Sequence, residues 1–362
     1  MMKLLLALLG VLSIVQADGP AEDLVTKMPE MDTTGFAMYS GFIPITNTSK
    51  SIHFLLAESQ NDWSKDPLII WFNGGPGCSS LLAFGTENGP YQMGAGDITF
   101  HKNPHAWNLN ANVLYIEQPA GVGFSSVNCG DRPDDCIFDD MSQSVDTLFF
   151  VKAWLERYPN YKGKPLYISG ESYGGIYIPY LAWQLAHNAT DITVSGFMVG
   201  NGVTNWKYDT TPATIQTAYH HAMYSDQLHE KLLASNCNWT EAQFNPTVEC
   251  DALQAEMFGV WNTYFNFYNM FQREDGTPLF AEPKEEAGMC VNAIDKPELR
   301  APYRKGTYNY TPWLEASRPA KPTCLGGDAL GAYYNSAIVR EALHIPASNN
   351  NTWAGCGGVE GW

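Results

Sequence analysis

The stretch Pro165-Leu166-Tyr167-Ile168-Ser169-Gly170-Glu171-Ser172-Tyr173-Gly174-Gly175 decides how this chain folds. Its first half is a short apolar run that reads as a buried strand. Its second half opens a helical pattern over 174–187. Between them lies G-x-S-x-G, with small residues on both sides of Ser172. Such neighbours permit the strained turn that lifts a serine hydroxyl clear of the backbone at a strand-to-helix junction. Ser172 is therefore the candidate nucleophile. Serine is weak at its own pKa and needs a positioned base, usually histidine. The plainer alternative is a glycine-rich turn with an inert serine.

Working outward, residues 67–72, 113–117 and 194–199 join 165–169 as short apolar runs without alternation, which predicts strands buried on both faces of a parallel sheet. Helical spacing over 139–158 places Val145, Leu148, Phe149, Lys152 and Leu155 together, and Pro159 stops it. Strands alternating with helices predict an α/β fold with a mainly parallel sheet. The rhythm lapses after Asn201-Gly202. The run Trp261-Asn262-Thr263-Tyr264-Phe265-Asn266-Phe267-Tyr268 reads either as core or as the wall of a substrate pocket in an inserted cap.

The 362 residues carry 38 acidic and 21 basic side chains, a net charge of −17 that argues against a nucleic-acid partner. With 45% hydrophobic and 16% charged residues, disorder is excluded as the general state. Lys3 followed by the apolar run 4–15 and small residues around Ala17 reads as an export signal over 1–17; a membrane anchor needs about 20 apolar residues. No later stretch is apolar enough to span a bilayer. The cysteines Cys78, Cys129, Cys136, Cys237, Cys250, Cys290, Cys324 and Cys356 form an even set, which on an exported chain predicts disulfides. A turn-rich link favours a local Cys129–Cys136 bridge, and the absence of C-x-x-C argues against a zinc site. Sequons begin at Asn47, Asn188, Asn238, Asn309 and Asn350. Together these predict a glycosylated lysosomal or extracellular protein.

A second glycine cluster, Asn73-Gly74-Gly75-Pro76-Gly77-Cys78-Ser79-Ser80, follows the first run. Acyl transfer needs backbone N–H donors for an oxyanion, one after the nucleophile and one from another loop. Tyr173 and Gly75 are the natural candidates. A tight turn that holds no ligand is the alternative.

These segments, with Glu87-Asn88-Gly89-Pro90, Asn103-Pro104-His105-Ala106-Trp107-Asn108, Glu117-Gln118-Pro119-Ala120-Gly121-Val122-Gly123-Phe124-Ser125, Gly200-Asn201-Gly202 and Ala337-Ile338-Val339-Arg340-Glu341-Ala342-Leu343-His344, resemble the successive signatures of the serine carboxypeptidase family. The resemblance implies an α/β-hydrolase that removes one residue from peptide C-termini through an acyl-enzyme on Ser172, with Gly75 and Tyr173 as the oxyanion hole. Asn73, Gly74, Glu87 and Glu171 would bind the substrate's terminal carboxylate. Neighbouring carboxyls cannot all be ionised, so some would hold a proton and donate it, giving an acid optimum. The implied organisation is core over 18–203, cap over 204–325 and returning core from 326 to 362. Implied disulfides are Cys78–Cys356, Cys129–Cys136, Cys237–Cys250 and Cys290–Cys324. No metal or organic cofactor is implied; a homodimer or a partner hydrolase is the expected assembly.

One part of the pattern is missing. The chain order in such hydrolases is Ser, Asp, His, and in the resembled family both partners lie beyond the segment matching 337–356. The expectation is thus a chain cut short of its C-terminal strands, with a nucleophile and no visible base. Asp328 and His344 have the right order, but His344 closes a helical pattern and reads as core or surface. His220 and His221 could face a pocket without serving as base. Competing readings are a non-catalytic short form that binds peptides or a partner hydrolase, and an acyltransferase. Gly121-Val122-Gly123 lacks the third glycine of a dinucleotide loop, and His101 and His105 sit in a loop interrupted by Pro104.

Overall fold

The computed structural model describes residues 19–33, 35–93, 99–242, 246–264 and 327–357. Its strands are β1 (Met38–Pro44), β2 (Ser51–Ala57), β3 (Leu68–Phe72), β4 (Tyr91–Met93), β5 (Phe100–Lys102), β6 (Asn112–Ile116), β7 (Leu166–Glu171) and β8 (Val194–Gly200). The helices are α1 (Leu81–Thr86), α2 (Asp140–Arg157), α3 (Gly174–Asn188), α4 (Trp206–Asp209), α5 (Thr211–His220), α6 (Asp226–Ala234), α7 (Trp239–Ala242), α8 (Val248–Tyr264), α9 (Gly327–Asn335) and α10 (Ala337–Ala342). The main sheet runs β1-β2-β6-β3-β7-β8; the strands from β6 to β8 are parallel, and β1, β2 and β6 pair antiparallel. The fold is α/β with a mainly parallel sheet. The predicted runs fall on β3, β6, β7 and β8, and the predicted helices on α2 and α3.

Two apolar layers sandwich the sheet. Phe54, Leu56, Ile70, Leu114 and Ile168 pack with Phe150, Trp154, Tyr177 and Leu181 of α2 and α3. Leu55, Val113 and Tyr115 point the other way, onto Phe84 of α1, Leu330 and Tyr334 of α9, Val339 of α10 and Trp353. Successive strand residues feed opposite layers, which is why β6 shows no polar face.

Two expectations need correction. β8 is not buried on both faces: Phe197 is 55% and Met198 42% exposed. Among the described residues β8 has β7 as its only neighbour, so it is an edge. On α2, Phe149 faces out; the buried stripe is Leu148, Val151, Leu155 and Tyr158, with Trp154 beside it. Packing under the sheet rotated the helix by one position from the predicted face. Its start is a capping box, Asp139 Oδ1 accepting from Ser142 N at 2.7 Å while Ser142 Oγ accepts from Asp139 N at 3.1 Å.

From α5 to α8, Ile215, Met223, Tyr224, Leu228, Leu232 and Met257 form a small core of their own. The side chains of 261–264 and all of 265–268 lie outside the described residues, so the aromatic run is not placed. Disulfides join Cys78–Cys356, Cys129–Cys136 and Cys237–Cys250. Cys290, Cys324, Asn309 and the segment 1–17 lie outside the described residues; Asn47, Asn188, Asn238 and Asn350 are exposed. No described helix is long and apolar enough to cross a membrane.

Candidate active site

The register of the parallel strands builds the site. Phe72 of β3 pairs with Gly170 of β7. The next residue out on each strand is Asn73 and Glu171, so the two side chains leave the carboxyl end of the sheet together, where α/β folds bind their ligands. Ser172 follows at once with φ of 56°, left-handed backbone that a serine adopts only under constraint. The constraint is visible. Ser172 N donates to Gly200 O at 3.1 Å, and Ser172 O accepts from Gly175 N and Val203 N at 3.0 and 2.9 Å. The hydroxyl is thereby raised at the mouth of α3.

The glycine-rich loop lies directly on this turn. A Cβ on Gly74 would collide with the Tyr173 backbone nitrogen and lie 2.8 Å from Ser172 Cβ. Only glycine allows that approach. It brings Gly75 beside the elbow, and among the described residues Gly75 N–H donates to no partner. The loop is anchored where Gly77 N donates to Tyr177 Oη at 3.2 Å. Tyr173 Oη donates to Asp140 Oδ1 at 3.0 Å, tying the elbow to the start of α2; burial raises the Asp140 carboxyl above its ordinary range.

The structure also brings Asn73, Glu87 and Glu171 together. Asn73 Nδ2 donates to Glu171 Oε1 at 3.0 Å and to Glu87 Oε1 at 3.2 Å. Glu87 sits at the end of α1, its carbonyl accepting from Asn103 Nδ2 at 3.1 Å. Burial, then the charge of Glu171, pushes the Glu87 carboxyl up to about 7, against the bond from Asn73. Burial raises Glu171 as well. Both carboxyls are thereby biased toward the protonated form, in which they can donate a hydrogen bond to an anion.

Sequence reasoning missed Trp71. Its indole Nε1 donates to Asn73 Oδ1 at 2.9 Å and so turns the Asn73 amide nitrogen toward the glutamates. The signal was available: positions two apart on a strand share a face.

No described histidine hydrogen-bonds Ser172. His187 binds Trp183 O through Nδ1, and His229 is buried with Nδ1 3.0 Å from Tyr224 Oη. His220 and His221 are exposed. His344 is held by Ser40 O on β1 at 3.1 Å. Four strand spacings separate β1 from β7, about 19 Å. His344 is therefore excluded as the base, which removes the Asp328–His344 pairing. Among the described residues no cluster of His, Cys, Asp and Glu could hold a metal ion.

A prohormone-processing carboxypeptidase of Saccharomyces cerevisiae shares the fold, with TM-score 0.63 and 19% identity over 92% of this chain and 69% of that one. Fold and strand-end serine together define an α/β-hydrolase. Within that class the chain belongs to the serine carboxypeptidase family, whose model matches residues 29–360. Among curated relatives it is similar to the lysosomal protective protein of Mus musculus, 33% identical over 95% of this chain and 72% of the relative. Serine carboxypeptidase-like 20 of Arabidopsis thaliana is 28% identical over 97% of this chain and 75% of the relative.

Proposed function

We propose that this chain releases the C-terminal residue of peptides through an acyl-enzyme on Ser172, in an acidic compartment of the secretory pathway. The carrying observation is the Asn73–Glu87–Glu171 cluster placed against the Ser172 elbow. A protonated carboxyl pair beside a raised serine suits a substrate whose scissile bond lies one residue from a free carboxylate. Ser172 Oγ attacks the scissile carbonyl, and its proton passes to a base. The Gly75 and Tyr173 N–H groups hold the oxyanion, and the terminal amino acid leaves carrying that proton. Water then attacks the ester and frees the shortened peptide.

The described residues supply the nucleophile, donors and carboxylate site; the base must come within hydrogen-bond reach of Ser172 Oγ. A fluorophosphonate probe tests whether the chain supplies it. Labelling abolished by Ser172→Ala, with cleavage of a free-acid peptide and not its C-terminal amide, is the expected result. A well-folded product that takes no label refutes catalysis, and retained binding of free-acid peptides would then mark a binding protein.

A further inference from the structure

The strongest buried polar cluster outside the site centres on Glu117, immediately after β6. The carboxylate is fully buried and accepts from groups on four sides. Oε1 takes the Ser79 hydroxyl and Trp353 Nε1, the latter at 2.7 Å. Oε2 takes Phe124 N at 2.9 Å and lies 2.8 Å from His53 Nδ1. His53 Nε2 is in turn 2.9 Å from Ser40 Oγ.

Ser40–His53–Glu117 has the order of a nucleophile, base and acid, yet all three are sealed from solvent. The Ser40 hydroxyl is moreover donated to Leu343 O at 2.8 Å. No substrate reaches this trio, so its work is mechanical. What it grips is the oxyanion loop. Ser79 lies in the segment 73–80 and beside Cys78, whose disulfide to Cys356 holds the segment that also carries Trp353. Ser79 N donates to Gly355 O at 2.8 Å, and Gly357 N donates to Gly77 O at 3.0 Å. The Gly121-Val122-Gly123 motif finds its reason here: Gly123 has φ of +56°, and a Cβ on it would collide with the Glu117 carboxylate.

We infer that Glu117 is a positioning residue: by anchoring Ser79 and Trp353 together it sets where the 73–80 loop presents Gly75 to Ser172. This rests on the reading of Gly75 as an oxyanion donor. Oxyanion donors act only at the right place, and a loop displaced by a fraction of an ångström loses transition-state stabilisation while binding survives.

The test compares Glu117→Gln, Ser79→Ala and Ser40→Ala in the full chain, measuring fluorophosphonate labelling of Ser172 as separate binding and inactivation constants. Hydrogen exchange of the 73–80 segment is followed alongside. Glu117→Gln and Ser79→Ala should slow the inactivation step about tenfold with probe affinity unchanged, and should speed exchange in 73–80. Ser40→Ala, which loosens the far side of the same cluster, should do neither. If Glu117→Gln does not fold, Ser79→Ala, which leaves the Glu117 carboxylate in place and removes the loop hydroxyl with its bonds to Glu117, Trp353 Nε1 and Leu81 N, carries the comparison. Equal slowing by all variants, in proportion to lost thermal stability, overturns the inference. A wild-type chain that takes no label refutes the Ser172 reading separately; exchange in 73–80 unchanged by Ser79→Ala overturns the positioning role in either case.

Discussion

Trp71 Nε1 lies 2.9 Å from Asn73 Oδ1 and, with the longer bond from Ala83 N at 3.4 Å, sets which end of the Asn73 amide faces Glu87 and Glu171. Reversed, the amide would set its oxygen against two carboxyls. Trp71→Phe keeps most of the buried ring but removes the shorter of the two bonds that hold the amide oxygen. The prediction is a binding defect: affinity for a free-acid dipeptide should fall about tenfold, the weight of one hydrogen bond to a charged group. Isothermal titration checks this, and unchanged affinity would show that Ala83 N and the glutamates suffice to orient the amide.

The raised Glu87 carboxyl carries a pH prediction. Below its ordinary value of 4.5, folded and unfolded chains both hold the proton. As pH rises from there, the unfolded chain releases it first, while the folded chain keeps it to about 7. Folding therefore loses stability across that window, in total on the order of 3 kcal/mol, and is not penalised below it. Affinity for a peptide carboxylate falls over the same range as the Glu87 proton leaves. Glu87→Gln, which keeps an N–H donor at every pH, should flatten both curves. Denaturant titrations at pH 5 and pH 8 decide it; an equal difference in wild type and variant assigns the slope to other groups.

How much of this was legible depends on the range of each interaction. The elbow at Ser172 was readable because strand, G-x-S-x-G and helix are contiguous. Glu171 and Asn73 are 98 positions apart and meet only through the Phe72–Gly170 register, which no local pattern encodes. Their joint role came from resemblance to a family, not from spacing. Strand β2 escaped notice although His53, Phe54 and Leu55 are fully buried, because its pairing with β1 is antiparallel and outside the β–α rhythm. Phe149 was misplaced because several apolar residues in a row leave the face of α2 to be settled by what packs against it.

The left-handed Ser172 predicts a trade between stability and chemistry. Ser172→Ala and Ser172→Gly should abolish labelling equally. Only glycine relieves the φ of 56°, so Ser172→Gly should be more stable than Ser172→Ala by about 1 kcal/mol. Thermal melts of the two variants measure that difference directly, and equal melting would mean the turn holds no strain.

A final prediction concerns the frame behind the site. Lys50, at the foot of β2, reaches Asp146 of α2 at 2.6 Å, with the two side chains 6% and 12% exposed. Burial raises the Asp146 carboxyl, while the bond and charge of Lys50 oppose that rise. Lys50→Met alone leaves a carboxylate in the interior without its cation, which should cost about 3–5 kcal/mol. Adding Asp146→Asn removes the stranded charge and should recover much of the loss, because a buried pair gives little net stability over neutral groups of similar size. The double-mutant cycle, read by chemical denaturation, separates the two terms. A double variant no more stable than Lys50→Met would place the loss in the contact of the ammonium with Phe138, whose ring centre lies 5.1 Å from Nζ.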